Sequence, residues 1–315
     1  MALVRDGPSV TTPAACFRAI VGDRLKVDEP LAAYTTLRVG GPADFLAVAR
    51  TTDEVVALVR AAVELGLPWR VVGRGSNLLI ADQGVRGLVI RNAANGVRIG
   101  PGDAPDRARV RADAGVSCAN LASRAAKEGL AGLEFAVAIP GTIGGAVVQN
   151  AGAHGREMVD VLRAVEYLSA EGELATAPVE QLELAYRHSR FKRPPRGEAV
   201  LRAEICLARA SPEAVAGKVR EIRAWRAASQ PTEPSAGSIF TNPPGDYAGR
   251  LIDAAGLKGL VIGGAQISSK HANFIVNLGG ARAADVAALI DRAQAEVERQ
   301  FGVHLEPEVE RIGEW

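Results

Sequence analysis

The sequence contains little of what marks metal-binding, redox-dithiol, nucleic-acid-binding or membrane proteins. Its three cysteines, Cys16, Cys118 and Cys206, are widely spaced, so none forms the close pair that metal sites and redox dithiols need. Lysine and arginine number 37 against 36 acidic residues, so the net charge of +1 creates no overall field toward a nucleic acid or a membrane. We therefore expect a protein of the reducing cytoplasm that binds anions locally.

Histidine pairs, a leader and uninterrupted apolar runs are missing as well. No two of the four histidines have i, i+4 spacing with an acidic cluster, so we expect no metal. The first 20 residues lack an apolar segment behind a basic start, which predicts no signal peptide. Residues 132–155 carry one charge, Glu134, but the proline and glycines of PGTIGG interrupt this stretch. We expect no membrane span.

Helices and strands mix in the pattern without regular βαβ alternation, which predicts an α+β fold. Hydrophobic residues make up 48% of the 315 residues, enough for a sizeable core in two or three domains. A domain boundary is expected just before residue 211. The predicted helices cover residues 51–66, 117–129, 211–229, 246–255 and 283–300. The predicted strands include WRVV, LLIAD, GLVIRN, RARVRAD, LRAVEYLSA, AVLRAEICLARA, VIGGAQIS, NFIVN and HLEPEVERIG.

Two glycine-rich loops, GRGSN at 73–77 and PGTIGG at 140–145, adjoin apolar runs and contain no lysine. Neither matches the phosphate loop G-x-x-x-x-G-K-[ST] or the dinucleotide turn G-x-G-x-x-G. Glycine lets a ligand lie against bare main-chain amides, as in loops that hold a pyrophosphate. The alternative is that both are simply tight turns.

Three further segments combine charge or a hydroxyl with apolar neighbours. They are YRHSRFK at 186–192, PSAGSIFTNP at 234–243 and LEPEVERIG at 305–313. In the last, alternation predicts Glu306 and Glu308 on one face of a strand. The alternatives are a solvated basic edge, a serine that caps backbone, and an exposed edge strand.

In this order, and together with YTTLRVGGPADF and AGLKGLVIGGAQISSKHANFIVN, the five segments resemble the UDP-N-acetylenolpyruvoylglucosamine reductase family. The resemblance runs from residue 34 to residue 313. It implies an FAD-binding unit of the vanillyl-alcohol-oxidase (PCMH) type in two subdomains, followed by an α+β substrate-binding domain. The implied divisions are an N-terminal extension with a first helix at 1–30, FAD subdomains at about 31–95 and 96–210 (together 31–210), and the substrate domain at 211–315.

The resemblance also implies roles for individual residues. Arg187 would be the cation that faces the substrate, Ser238 the proton donor, and Glu308 an acid that helps only when protonated, so we expect an apolar setting that raises its pKa. Substrate-binding residues would be Tyr186, Asn242 and Gln266. FAD, bound non-covalently, would contact Gly73, Arg74, Gly75, Ser76, Asn77, Pro140, Gly141, Thr142, Gly144 and Gly145.

The implied activity is the NADPH-dependent reduction of UDP-N-acetylglucosamine enolpyruvate to UDP-N-acetylmuramate by a cytoplasmic monomer. This is a precursor step of the peptidoglycan cell wall, and thereby of cell shape and division. The short interval after YRHSRFK implies the subclass without a substrate-capping insertion. The chain departs from the family's usual residues at His154, Thr241 and Glu310. Two alternatives are a flavoprotein oxidase of the same cofactor fold and a nucleotide-binding protein without activity.

Overall fold

The computed structural model describes residues 12–193 and 197–315. The predictions of an absent signal peptide and of an N-terminal extension fall partly on residues 1–11, outside the described residues. The helices of the described part are α1 (Pro13–Val21), α2 (Thr52–Glu64), α3 (Cys118–Lys127), α4 (Ile143–Val148), α5 (Pro212–Ser229), α6 (Ala248–Ala254) and α7 (Ala283–Phe301).

The strands are numbered in chain order. They are β1 (Leu25–Pro30), β2 (Pro42–Ala49), β3 (Trp69–Val72), β4 (Leu78–Ile80), β5 (Val85–Asn92), β6 (Val97–Pro101), β7 (Arg107–Asp113), β8 (Leu130–Ala131), β9 (Gly152–Ala153), β10 (Arg156–Glu157), β11 (Leu162–Leu168), β12 (Leu174–Pro178), β13 (Ala199–Arg209), β14 (Ser235–Ser238), β15 (Val261–Ile262), β16 (Ala265–Ile267), β17 (Phe274–Asn277) and β18 (Glu310–Ile312).

All five predicted helices are confirmed, each within two residues of its predicted ends. Local capping explains this accuracy: the Thr51 hydroxyl accepts from the amide of Glu54 at 3.2 Å, and the Ser211 hydroxyl accepts from the amide of Ala214 at 3.1 Å. The first helix implied within residues 1–30 is present as α1, whereas α4 was not predicted. Helix α4 begins inside PGTIGG, so part of the predicted loop is helical.

The first sheet has the order β1-β2-β5-β3, with β1 antiparallel to β2 and the remaining pairs parallel. Helices α1 and α2 pack on it around Phe17 and Leu58, which are fully buried. Strand β1 belongs to this sheet although it precedes the predicted subdomain that begins at 31. The GRGSN loop leaves the end of β3.

The second sheet is antiparallel, in the order β12-β11-β13-β7-β6, with β8 paired to β13. Helix α3 covers it with Leu121 and Ala125. Helix α5 contributes Val215, Val219 and Ile222 to the same core, because these residues fall on one helical face. The domain boundary before residue 211 stays a prediction; the helix that follows it packs on the second sheet's core.

The third sheet, β14-β17-β16-β15, is antiparallel, and α6 and α7 pack on it around Ile275 and Ile290. The last strand, β18, instead runs parallel to β4, directly after the GRGSN loop. The strand predicted over HLEPEVERIG is confirmed only at Glu310–Ile312, and the prediction that Glu306 and Glu308 share a face is wrong. Regular pairing begins only at residue 310, so Glu306 is 74% exposed while Glu308 is 15% exposed. The mixed architecture confirms the α+β class, and no helix in the described ranges is long and apolar enough to cross a bilayer.

Candidate functional site

One cavity of about 1360 Å³ is lined by parts of all three sheets. Its wall combines the two glycine-rich loops with the segment from Gln230 to Ser238. The predicted cofactor and chemical residues on this wall are Gly73, Arg74, Gly75, Ser76, Asn77, Pro140, Gly141, Thr142, Gly144, Gly145, Arg187, Ser238 and Glu308. The structure thus brings together segments that are far apart in the sequence.

The GRGSN loop presents bare main-chain donors to this cavity. Within the described chain, no amide from Arg74 to Asn77 donates a hydrogen bond. Gly75 has φ +60°, and a Cβ there would lie 2.5 Å from the carbonyl oxygen of Tyr34, so the turn requires glycine. The Asn77 amide group donates to the Glu308 carbonyl at 2.9 Å, so this side chain is engaged with the protein.

In PGTIGG the glycines have different functions. The Gly144 amide donates to the Ala114 carbonyl at 2.9 Å, and a Cβ at Gly144 would lie 2.7 Å from the Ala114 Cβ. Gly144 therefore allows α4 to approach the second sheet. Gly145 is exposed, and a Cβ there would meet no protein atom nearer than 3.7 Å, the Thr142 hydroxyl. The amides of Gly141 and Thr142 make no hydrogen bond with any described residue.

Arg74 and Arg91 give the cavity wall a positive charge that no acidic residue of the described chain pairs with. Burial, together with the nearby charge of Arg74, lowers the pKa of Arg91. Neither arginine has an ion-pair partner in the described residues, and the Arg91 guanidinium donates to the Asn92 carbonyl at 3.1 Å. Adjacent like charges beside bare amides favour a bound anion. The sequence analysis missed Arg91, because nothing in the GLVIRN strand distinguishes it.

Arg187 and Glu308 form a largely buried pair. Arg187 Nε lies 3.0 Å from Glu308 Oε1, and the side chains are 18% and 15% exposed. Arg187 Nη2 donates to the Gly152 carbonyl at 3.1 Å. Nη1 is buried and makes no hydrogen bond, although it lies 3.5 Å from Glu157 Oε1. Nη1 therefore faces Glu157, while Arg187 as a residue lines the cavity.

Burial raises the pKa of Glu308, while the Arg187 charge opposes this shift. The net direction is upward, as required of an acid that must carry a proton at its site. Ser238, at the end of β14, lines the same cavity, and its hydroxyl has no hydrogen-bond partner among the described residues. The cavity wall therefore holds a cation, an acid of raised pKa and an unpaired hydroxyl.

The three predicted substrate-binding residues do not line this cavity in the described chain. Tyr186 is half exposed, with the Arg187 guanidinium 4.8 Å above its ring, and its hydroxyl accepts from the Asn242 amide at 3.4 Å. Tyr186 therefore adjoins Arg187, and Asn242 adjoins Tyr186. Gln266 lies in β16 and donates to the Gly259 carbonyl at 3.2 Å, so the structure does not bring it to the site. Their roles stay predictions.

Comparison with known proteins decides the family. Residues 43–177 match an FAD binding domain, and residues 230–312 match the UDP-N-acetylenolpyruvoylglucosamine reductase C-terminal domain. UDP-N-acetylenolpyruvoylglucosamine reductase 2 of Symbiobacterium thermophilum is 46% identical over 94% of this chain and 95% of its own length. The reductase of Heliobacterium modesticaldum is also 46% identical, over 91% of this chain and 90% of that protein. The chain belongs to the UDP-N-acetylenolpyruvoylglucosamine reductase family. The crystal structure of the reductase from Thermus caldophilus has a TM-score of 0.76 and 40% identity, and the match covers 92% of this chain and all of that one.

FAD, the cofactor of this reductase family, fits the cavity. The matched FAD-binding region contains both glycine loops. Their unpaired amides and the cations Arg74 and Arg91 suit a pyrophosphate, and Gly145 leaves open the space that a side chain would occupy. Each part of this arrangement is a property of the protein's own residues.

The departures from the usual family residues are accommodated within the chain. Thr241 bonds the Glu306 carbonyl through its amide at 2.9 Å, and Glu310 pairs with Arg70 at 2.8 Å. His154 has φ +54° and packs edge-on against Trp225, with ring centroids 4.8 Å apart. Both rings line the cavity.

Proposed function

We propose that this chain reduces UDP-N-acetylglucosamine enolpyruvate to UDP-N-acetylmuramate with NADPH, a step in making the peptidoglycan precursor and hence in cell-wall growth and division. The observation that carries the proposal is the buried Arg187–Glu308 pair, which shares one cavity with the Ser238 hydroxyl and the two bare-amide loops. We also propose that the protein acts as a cytoplasmic monomer; its net charge of +1 creates no overall field toward a nucleic acid or a membrane.

The overall reaction adds one hydride and one proton across the vinyl double bond of the substrate. When bound, FAD supplies the relay that takes a hydride from NADPH and delivers it to the terminal vinyl carbon. The electron pair of the double bond then becomes an enolate delocalised onto the carboxylate. Arg187 lines the cavity and meets this charge with its fixed cationic guanidinium.

Glu308 donates a hydrogen bond to the same enolate when it is protonated. Burial favours the neutral form, because the carboxylate loses hydration without gaining full compensation from Arg187. A protonated acid beside a fixed cation stabilises negative charge without adding any of its own.

Ser238 gives its proton to the carbon that carries the ether oxygen, which completes the reduction. A serine hydroxyl is a weak acid, but an enolate is basic enough to take its proton when the hydroxyl is oriented. The absence of a hydrogen-bond partner for this hydroxyl within the described chain supports the assignment, since its proton is not committed elsewhere.

Stopped-flow half-reactions on wild type and Ser238→Ala test the proposal. NADPH should reduce the flavin equally fast in both, while reoxidation by the enolpyruvyl substrate should slow by about 10²–10⁴-fold in the variant. Ser229→Ala, at a serine outside the cavity lining, is the control and should keep both rates. Equal slowing of both half-reactions, or no slowing, refutes the proton-donor role.

Two alternatives are separated by simpler measurements. A flavoprotein oxidase that uses oxygen would not need this cation, acid and hydroxyl, and anaerobic bleaching of the flavin by NADPH followed by reoxidation with the substrate argues against it. A nucleotide-binding protein without activity would be colourless when purified, or would hold a flavin that NADPH cannot reduce.

A further inference from the structure

A second carboxylate reaches the Arg187 guanidinium. Glu157 Oε1 lies 3.5 Å from Nη1, while Glu308 Oε1 lies 3.0 Å from Nε. Glu157 comes from the short hairpin of β9 and β10, whereas Glu308 precedes the last strand of the described chain, β18. One cation is therefore shared between carboxylates from two distant segments.

Asn150 fixes the position of Glu157. This residue is fully buried and follows helix α4. Its amide nitrogen donates to Glu157 Oε2 at 2.9 Å and to the Ala185 carbonyl at 3.0 Å, and its oxygen accepts from the Val159 amide at 3.0 Å. Both donor hydrogens are used, so the orientation of the side chain is unambiguous. Asn150 thus ties the hairpin to the segment that carries Arg187.

The backbone at Arg187 is also specified by this surrounding structure. Arg187 has φ +54°, a conformation that residues other than glycine rarely adopt. Asn150 has φ +40°, and asparagine is among the residues that adopt this conformation most readily. The surrounding structure, including the Asn150 side chain and the Glu157 carboxylate, holds Arg187 in this unfavourable backbone conformation.

We propose that Glu157, oriented by Asn150, is a positioning residue that shares the charge of Arg187 and so lets Glu308 hold a proton beside a permanent cation. This inference rests on the proposed function, because it explains how the pair becomes an acid next to a cation. An arginine that faced Glu308 alone would favour the ionised carboxylate. Glu157 supplies a competing negative charge for the same guanidinium.

The charges that surround Glu308 show why a competing anion at Arg187 matters. Glu308 is faced by Arg187 and Lys192, with Gln149 as a polar neighbour. Lys192 also donates to the Arg187 carbonyl at 2.9 Å. Both cations favour an ionised Glu308, so a competing anion at Arg187 is needed for Glu308 to hold a proton.

The groups that face Glu157 are few. Besides Arg187 and Asn150, the Glu157 carboxylate meets the Asp160 main-chain amide, from which it accepts in a capping box. The Glu157 amide donates to the Asp160 side chain at 2.9 Å, and Asp160 pairs with Arg156. Because His154 lines the cavity, the test replaces it with glutamine.

The test is the pH dependence of flavin reoxidation by the enolpyruvyl substrate, measured in a His154→Gln background. Glu308 acts when protonated, so the rate falls as the pH rises through its pKa. Glu157→Gln keeps the shape and the hydrogen bonds but removes the charge, so the midpoint should move to lower pH by about one unit. Glu157→Asp keeps the charge and should leave the midpoint near that of the parent.

Asp160→Asn is the matched control, because it removes an acid from the same turn without a contact to Arg187. Its midpoint should not move. The proposal is overturned if Glu157→Gln lowers the rate equally at every pH, or if Asp160→Asn causes the same shift. Flavin content and the rate of reduction by NADPH should stay at the values of the His154→Gln parent in the Glu157 and Asp160 variants. A parent enzyme that the substrate cannot reoxidise would instead refute the proposed function itself.

Discussion

Substitution of two adjacent glycines should affect different properties of the protein, its stability at one position and its binding of FAD at the other. Gly144 and Gly145 both lie in the first turn of α4 and both line the cavity. Alanine at Gly144 would place a Cβ 2.7 Å from the Ala114 Cβ, whereas alanine at Gly145 would meet no protein atom nearer than 3.7 Å. The same added methyl group should therefore have opposite consequences at the two positions.

The magnitudes follow from what surrounds each methyl group. At Gly144 the neighbouring backbone cannot retreat easily, because the Gly144 amide is bonded to the Ala114 carbonyl. Overpacking of this kind costs about 1–3 kcal/mol of unfolding free energy. At Gly145 the free protein should be unaffected or slightly stabilised, since alanine favours the helix. The methyl group instead occupies cavity space, and we expect about 10–100-fold weaker FAD binding, equivalent to ~1.4–2.8 kcal/mol.

The assay compares thermal unfolding of the flavin-free proteins with FAD titration by absorbance or fluorescence. Gly144→Ala should lower Tm by several degrees, at roughly 2–4 °C per kcal/mol. Gly145→Ala should keep Tm and lose affinity. Wild-type FAD affinity in Gly145→Ala, or a wild-type Tm in Gly144→Ala, would show that the two glycines have been assigned to the wrong functions.

Two further predictions concern residues away from the proposed chemistry. Trp225 lines the cavity and is 53% exposed, so NADPH or substrate should quench its fluorescence. Trp225→Phe should abolish most of this quenching. Trp315→Phe is the control and should not, because Trp315 lies outside the cavity lining. Hydrogen bonds from Arg24 hold the pKa of Glu54 at about 2, below its ordinary 4.5, so its stabilising contribution is present above pH 4.5 and is lost as the pH falls toward about 2. Glu54→Gln should accordingly lower Tm at neutral pH, and a difference from wild type that stayed constant on acidification would contradict this linkage.

Local signals allowed much of the fold to be predicted from the sequence. The hydroxyls of Thr51 and Ser211 cap helices that the apolar spacing had already indicated, and both operate within three residues. The glycine loops were identified because turns need such residues locally. Helix α4 was not predicted, because its six residues begin inside a glycine-rich motif that reads as a loop.

Contacts between distant segments could not be predicted in the same way. The pairing of β18 with β4 joins residues more than 230 positions apart, and no periodicity within either strand specifies it. For the same reason alternation failed at Glu306 and Glu308, where Pro307 forms a single bridge to Phe240 and the regular ladder starts later. Glu157 and Arg91 carry no motif at all, and only the assembled fold shows which side chains they face.

The main chain of Glu308 is the point at which the three parts of the fold meet. Its amide donates to the Ile239 carbonyl at 2.8 Å, next to Ser238 in the third sheet. Its carbonyl accepts from Asn77, in the GRGSN loop, at 2.9 Å, and from Gln149, at the end of α4, at 3.4 Å. Glu308 is therefore held by the GRGSN loop, by the residue that follows α4, and by the segment next to Ser238. Because these bonds exist only when all three parts are docked, the acid reaches Arg187 only in the assembled chain, and a change in either loop also alters the site of proton transfer.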